Sequence, residues 1–123
     1  MVFTNDGKKF VAYGLGSNVG MYIRHIGIGT GSSTISATDH TLVTETNRTS
    51  ITGSPDFSES QKVIFQADFN SIQMSGINLT EFGLFNVASG PGFTGSVWAR
   101  EGFGSVVFDG TNELQVSYAV EVL

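Results

Sequence analysis

Residues 61–72 read QKVIFQADFNSI, and this stretch decides the fold class. Val63, Phe65, Ala67 and Phe69 fall at every second position, with Gln66, Asp68 and Asn70 among the residues between them. Successive side chains of a strand point to opposite faces, so this period of two predicts a strand with one apolar and one polar face. The same alternation closes the chain, where Leu114, Val116, Tyr118, Val120 and Val122 interleave with Gln115, Ser117 and Glu121. It also marks residues 19–29, where Val19, Met21 and Ile23 alternate with Gly20, Tyr22 and Arg24. Further strands are expected at 8–13, 77–87, 94–101 and 105–108. Residues 39–48 have only Leu42 and Val43 as apolar members and read as a short edge strand in preference to one helical turn.

Turn chemistry separates these segments. Asn5-Asp6-Gly7, Gly53-Ser54-Pro55 and Ser89-Gly90-Pro91-Gly92 are breakers, and Asp109-Gly110 is a hairpin signal. No window carries a 3.6-residue apolar stripe. The expectation is an all-β chain, an antiparallel β-sandwich of about seven to nine strands, with a jelly roll among the arrangements that count allows. One domain spans residues 1–123, a length sufficient for one real core.

Composition narrows the function. The net charge is −5, and the only basic cluster is Lys8-Lys9, whereas a phosphate-binding face needs several cations. Nucleic acid is therefore not an expected partner. The chain has no Cys, which removes disulfides and thiolate metal sites. No apolar run approaches the ~18 residues of a membrane-spanning helix. The start, MVFTNDGKKF, lacks the basic and apolar regions of a secretory signal, so synthesis in a cytoplasm followed by assembly is expected. Charged residues make up 14%, against about 25% in ordinary soluble domains. A surface so poor in charge and rich in Ser, Thr, Asn and Gly suits contact with neighbouring molecules.

The residues that could carry chemistry are few. Gly27, Gly29 and Gly31 follow a strand, as phosphate-cradling glycines do. No Lys stands at the position a phosphate loop needs, and a structural turn is the simpler reading. Glu81 lies in an apolar run, where an unpaired acid is costly, so Arg100, Arg48 or backbone amides are expected to satisfy it. Glu45 and Arg48 stand three apart and would pair on a helical turn but diverge on a strand. Read functionally, Glu45 and Glu81 would be a carboxylate pair for glycoside hydrolysis. His25 and His40, with Asp39 beside the latter, fall short of a three- or four-ligand metal set. Asp39 reads as a cap or turn residue. Tyr22 and Trp98 could stack on a glycan, though aromatic residues in alternating strands are first candidates for the core. The sequons at Asn47 and Asn78 have meaning only in a secreted eukaryotic chain. No cofactor is implied.

Two segments carry a likeness to known proteins. Residues 26–48 read IGIGTGSSTISATDHTLVTETNR, and residues 79–86 read LTEFGLFN. Together they resemble small structural proteins of tailed viruses, found as tail-fibre, tail-collar or other virion-surface modules. That pattern runs I-G-x-G-T-G, then D-x-x-L-x-x-E-x-x-R, then E-I/V-G-L-F. It falls here on Ile26 to Gly31, on Asp39, Leu42, Glu45 and Arg48, and on Glu81 to Phe85, with Phe82 where Ile or Val is usual. The Ala99-Arg100 pair and a closing apolar strand complete it. The resemblance implies a non-enzymatic virion component that works as a symmetric homo-oligomer. Its expected place is the tail apparatus (tail tip, baseplate or fibre base), with a capsid decoration or turret protein as the alternative. The implied partners are copies of itself and other virion proteins. A carbohydrate-binding module that recognises a host-surface glycan is the reading from another class.

Overall fold

The computed structural model describes residues 2–16, 22–86 and 96–121. In chain order the elements are β1 (Val2–Phe3), α1 (Asn5–Gly16), β2 (His25–Gly29), β3 (Glu45–Ser50), β4 (Lys62–Phe69), α2 (Ser71–Met74), β5 (Asn78–Phe85), β6 (Ala99–Val107) and β7 (Leu114–Glu121). The fold is mostly β, in two antiparallel sheets. One has five strands in the order β1-β6-β5-β2-β3, and the other pairs β4 with β7 alone.

The two alternating segments are the two strands of the small sheet. Each residue of β4 is matched to one of β7, from Lys62 opposite Glu121 to Phe69 opposite Leu114. Their inward side chains Phe65, Ala67, Phe69, Val116 and Tyr118 are buried against Ile26, Ile28, Leu79, Leu84 and Ala99 of the large sheet. This sandwich-like contact is the main core, and removing apolar surface from water there supplies the principal drive to fold.

Residues 8–13, expected as a strand, lie in α1. Thr4 explains the difference. Its Oγ1 accepts the Gly7 amide at 3.0 Å and its carbonyl accepts Lys8 N–H at 3.0 Å, which is N-cap geometry. The same hydroxyl donates to the Val97 carbonyl at 2.5 Å, so the cap is bolted to the segment leading into β6. Phe10 then stacks on Trp98 with ring centroids 5.3 Å apart. Packing outweighs the low helix propensity of Gly7, Gly14 and Gly16.

Three further expectations are corrected. The two strands expected at 94–101 and 105–108 are one, because β6 runs unbroken through Gly102 and Gly104; residues 94 and 95 lie outside the described residues. Asp109-Gly110 does turn, with Gly110 at φ +93°. The strands on either side do not form a hairpin, however: β6 pairs with β5 and β7 with β4, so this turn carries the chain from one sheet to the other. The strand expected at 19–29 is β2 over residues 25–29, and its residues 19–21 lie outside the described residues, as do 89–92.

Thr4 is fully buried with its hydroxyl engaged on both sides. Thr4→Val keeps the shape and removes the cap, so urea unfolding should show a loss of about 1–2 kcal/mol with an unchanged m-value.

Candidate functional site

The large sheet has a second face, and the charged residues gather there. Alternation along β2 sends Ile26 and Ile28 to the main core and leaves Gly27 and Gly29 on the outer face. Register then builds two rows across four strands. One row runs Arg48, Gly27, Gly83, Arg100, and the next runs Glu45, Gly29, Glu81, Gly102. Residues 30–44, which connect β2 to β3, fold back over these rows. The base of this flap is closed by the Thr30 amide on the Thr44 carbonyl at 3.0 Å, and its far side by the Val97 amide on the His40 carbonyl at 2.9 Å. Leu42 seals it against Phe85 and Val97 in a small apolar cluster of their own.

Glu81 is the centre of the arrangement and has no exposure to solvent. Its Oε2 accepts the Gly31 amide at 2.8 Å and the Thr44 amide at 2.9 Å, and its Oε1 accepts the Val43 amide at 2.9 Å. Arg100 donates to Oε1 from Nη2 at 3.0 Å and from Nε at 3.2 Å. The same guanidinium reaches Asp39 Oδ2 from Nη1 at 2.8 Å. Burial raises the Asp39 pKa, but the Ser36 amide and the Arg100 guanidinium outweigh it and hold the carboxyl below its ordinary value. The Glu81–Arg100 pair is thus one of the expected ways to satisfy the buried acid, and the backbone amides supply another at the same time.

Glu45 and Arg48 also pair. Arg48 Nε and Nη2 each lie 2.7 Å from a Glu45 carboxylate oxygen, in fork-to-fork geometry. They do so from a strand, where a spacing of three should send them apart. The register of β2 with β3 shifts between Ile28 and Gly29, so Thr46 is an inserted residue. Such a bulge reverses the alternation and returns Glu45 to the face that Arg48 occupies. Arg48 also lies over the Phe85 ring, 3.5 Å from its centroid.

The glycines make room for the acids. A Cβ on Gly27 would stand 2.8 Å from Glu45 Oε2. One on Gly29 would stand 2.7 Å from Glu81 Oε2 and 2.4 Å from the Thr44 carbonyl oxygen, and one on Gly31 would stand 2.5 Å from Glu81 Oε2. Close approach is their role. Positive φ angles among the described residues lie elsewhere, at Gly53, Gln61, Gly76 and Gly110. Gly83, opposite Gly27, does the same for Val97 and Leu42, and the sequence reading had not singled it out.

The remaining candidates are scattered. His40 Nδ1 lies 2.5 Å from Asp6 Oδ2 and ties the flap to α1, while His25 sits beside Ser50 on β3. Burial, then the charges of Arg48 and Arg24, lower the His25 pKa. Among the described residues no group of three or more His, Asp or Glu could hold a metal ion. Trp98 and Tyr22 line one apolar groove of about 360 Å³ with Phe3, Ile51, Pro55 and Phe57. Trp98 is 2% exposed and stacked on Phe10, so its face is not a platform. Tyr22 is 53% exposed, with the Arg24 guanidinium 4.1 Å over its ring.

Chemically the flap site is a closed lock. Both Glu45 and Glu81 are held by arginines, and Glu81 has no exposure to solvent. No family model, no curated protein and no solved structure matches this chain.

Glu81→Ala removes the buried one of Arg100's two carboxylate partners, leaving Asp39, and leaves three amides without an acceptor. A loss of about 3–5 kcal/mol is expected in urea unfolding, together with lost hydrogen-exchange protection at the Gly31, Val43 and Thr44 amides. The lowered Asp39 pKa stabilises the fold above the ordinary carboxylate value of 3.8, and that contribution disappears as pH falls through the folded-state value. Stability in the acid range should therefore fall more steeply for the parent chain than for Asp39→Asn, compared by urea midpoints from pH 6 downward.

Proposed function

We propose that this protein is a non-enzymatic structural component of a tailed-virus particle that works as a symmetric homo-oligomer. Its place is the tail apparatus, with a capsid decoration or turret as the alternative within the same class. The observation that carries this reading is the spent chemistry of the one charged cluster on the large sheet. Of the residues shared with the virion-protein pattern, Gly29, Gly31, Asp39, Leu42 and Glu81 hold the flap to the sheet, Gly27, Glu45 and Arg48 build the ion pair beside it, and Ile26, Ile28 and Leu84 lie in the main core. Arg100, from the Ala99-Arg100 pair, completes the flap contact. A motif whose charged members are all engaged within the chain is what a building block needs, since a part that must fit its neighbours has to present a fixed shape.

The surface agrees with assembly. Leu15, Phe57, Ile72 and Val107 are each more than 70% exposed, a large apolar display for a chain with so few charges. No described helix is long and apolar enough to cross a membrane. The groove holding Tyr22 and Trp98 gives little support to glycan stacking, because one ring is buried and the other is covered by Arg24.

Light scattering on the purified protein across a hundredfold concentration range (~1 to ~100 μM), with negative-stain imaging, tests the assembly. A discrete closed oligomer is expected. A single chain of 13.1 kDa at every concentration would overturn the homo-oligomeric reading.

A further inference from the structure

The two sheets do not match in width. Two strands lie over the inner face of five, with α1 beside them at the Trp98 and Val120 end. The shortfall lies on the β7 side, where a cleft of about 280 Å³ opens between the sheets and is lined by Leu79, Phe82, Val106, Phe108, Leu114 and Val116. Val106 stands opposite Leu79 in the ladder and so faces inward, yet it is 46% exposed. An inward-facing valine half in water marks a place where the sandwich lacks a strand.

The backbone beside that cleft is also unfinished. β7 is bonded to β4 on one edge, and among the described residues no backbone hydrogen bond reaches its other edge. The outer edge of β4 is treated differently: the Thr52 amide bonds the Gln66 carbonyl at 2.6 Å, and Asp56 bridges Ile64. Unpaired strand edges are templates for another strand. Tyr118, whose ring meets that of Phe82 edge-on, is 4% exposed, and its hydroxyl has no hydrogen-bond partner among the described residues.

The missing strand must meet two demands. It must hydrogen-bond to β7, and it must turn an apolar side chain inward at every second residue. β7 itself meets both, with Leu114, Val116, Tyr118 and Val120 inward and Gln115, Ser117, Ala119 and Glu121 exposed. We propose that the free edge of β7 pairs antiparallel with β7 of a second copy about a two-fold axis, joining the two small sheets into one four-stranded sheet. This rests on the homo-oligomeric reading and names its contact.

Physical constraints select the register. Directly opposed residues share a face, so inward positions meet inward positions only when the axis passes through a residue. An axis at Ser117 sets Glu113 opposite Glu121, and like charges directly opposed destabilise a ladder. An axis at Tyr118 sets Gln115 opposite Glu121, Val116 opposite Val120 and Ser117 opposite Ala119. The Tyr118 axis is the one the charges favour. A two-fold contact also requires an even number of copies in the assembly.

Two experiments test this. Ser117→Lys with Ala119→Lys places cations on exposed positions of both strands across the axis, leaving the core of each copy intact. The mass by light scattering is expected to halve while circular dichroism stays unchanged. Because the chain has no Cys, co-expressed Ser117→Cys and Ala119→Cys chains report the register directly. Opposed Cα atoms in an antiparallel pair lie about 4.5–5.5 Å apart, within disulfide reach, so a cross-linked dimer of the two different chains is expected on oxidation. An oligomer that keeps its mass with both lysines present, or an odd number of copies, would overturn the β7 contact while leaving the homo-oligomeric reading standing. A single chain at all concentrations would remove both.

Discussion

A carboxylate with no exposure to water, set on the outer face of a sheet, organises this structure. Glu81 cannot be desolvated alone, since an unpaired buried charge costs several kcal/mol or neutralises itself. Three amides from the flap and one guanidinium from β6 answer that demand. The requirement runs outward from there. The flap must return to β3 at Thr44, the end of β2 and the start of the flap must be glycine at residues 29 and 31, and Arg100 must stay on the same face as Glu81. Residues 30–44 would otherwise be a polar loop with little apolar surface to hold it, and through Glu81 they become the third layer of the fold.

The ordering effect of that charge differs from the ordering effect of the main core. Apolar burial between the sheets is non-directional and would tolerate several arrangements of similar volume. A carboxylate that accepts three amides at 2.8–2.9 Å tolerates one. Net stability from such a pair is modest, because desolvation offsets attraction, and its contribution is a single conformation of the flap. The Glu45–Arg48 fork repeats the device one strand over, and there a bulge at Thr46 was needed to bring the partners to one side.

Much of this was legible in the residues. The alternation in 61–72 and 114–123 has one physical explanation, so both strands of the small sheet could be read directly, though not their pairing with each other. Glu81 in an apolar run demanded partners, and Arg100 was among the few cations available to supply them. Other features depend on contacts that no local pattern encodes. The helix α1 was hidden because Asn5-Asp6-Gly7 is turn chemistry, and what holds it is Thr4 bonding across the molecule to Val97 and Trp98. The unbroken β6 was hidden because glycines at 102 and 104 weaken a strand pattern that its neighbour β5 nevertheless completes. The glycines at 27, 29 and 31 were visible as a group, but their purpose depends on side chains many positions away, so the sequence suggested turns where the structure has clearance.

The closed face and the open edge bear on each other. Fixing the flap against the outer face of the large sheet leaves that sheet with one rigid covered side, so its inner side has a defined shape for another surface to meet. The small sheet covers only part of that inner side; Val106 of the uncovered part is half in water, and among the described residues no backbone hydrogen bond reaches the neighbouring edge of β7. A monomer of ordinary design would blunt such an edge with charge, a bulge or a covering helix. Here the exposed side chains of β7 next to the edge are Gln115, Ser117 and Ala119, small or neutral, with the acid Glu121 at the strand end. Glu121 is the one charge in that row, so the middle of the strand carries little that would repel a neighbouring strand.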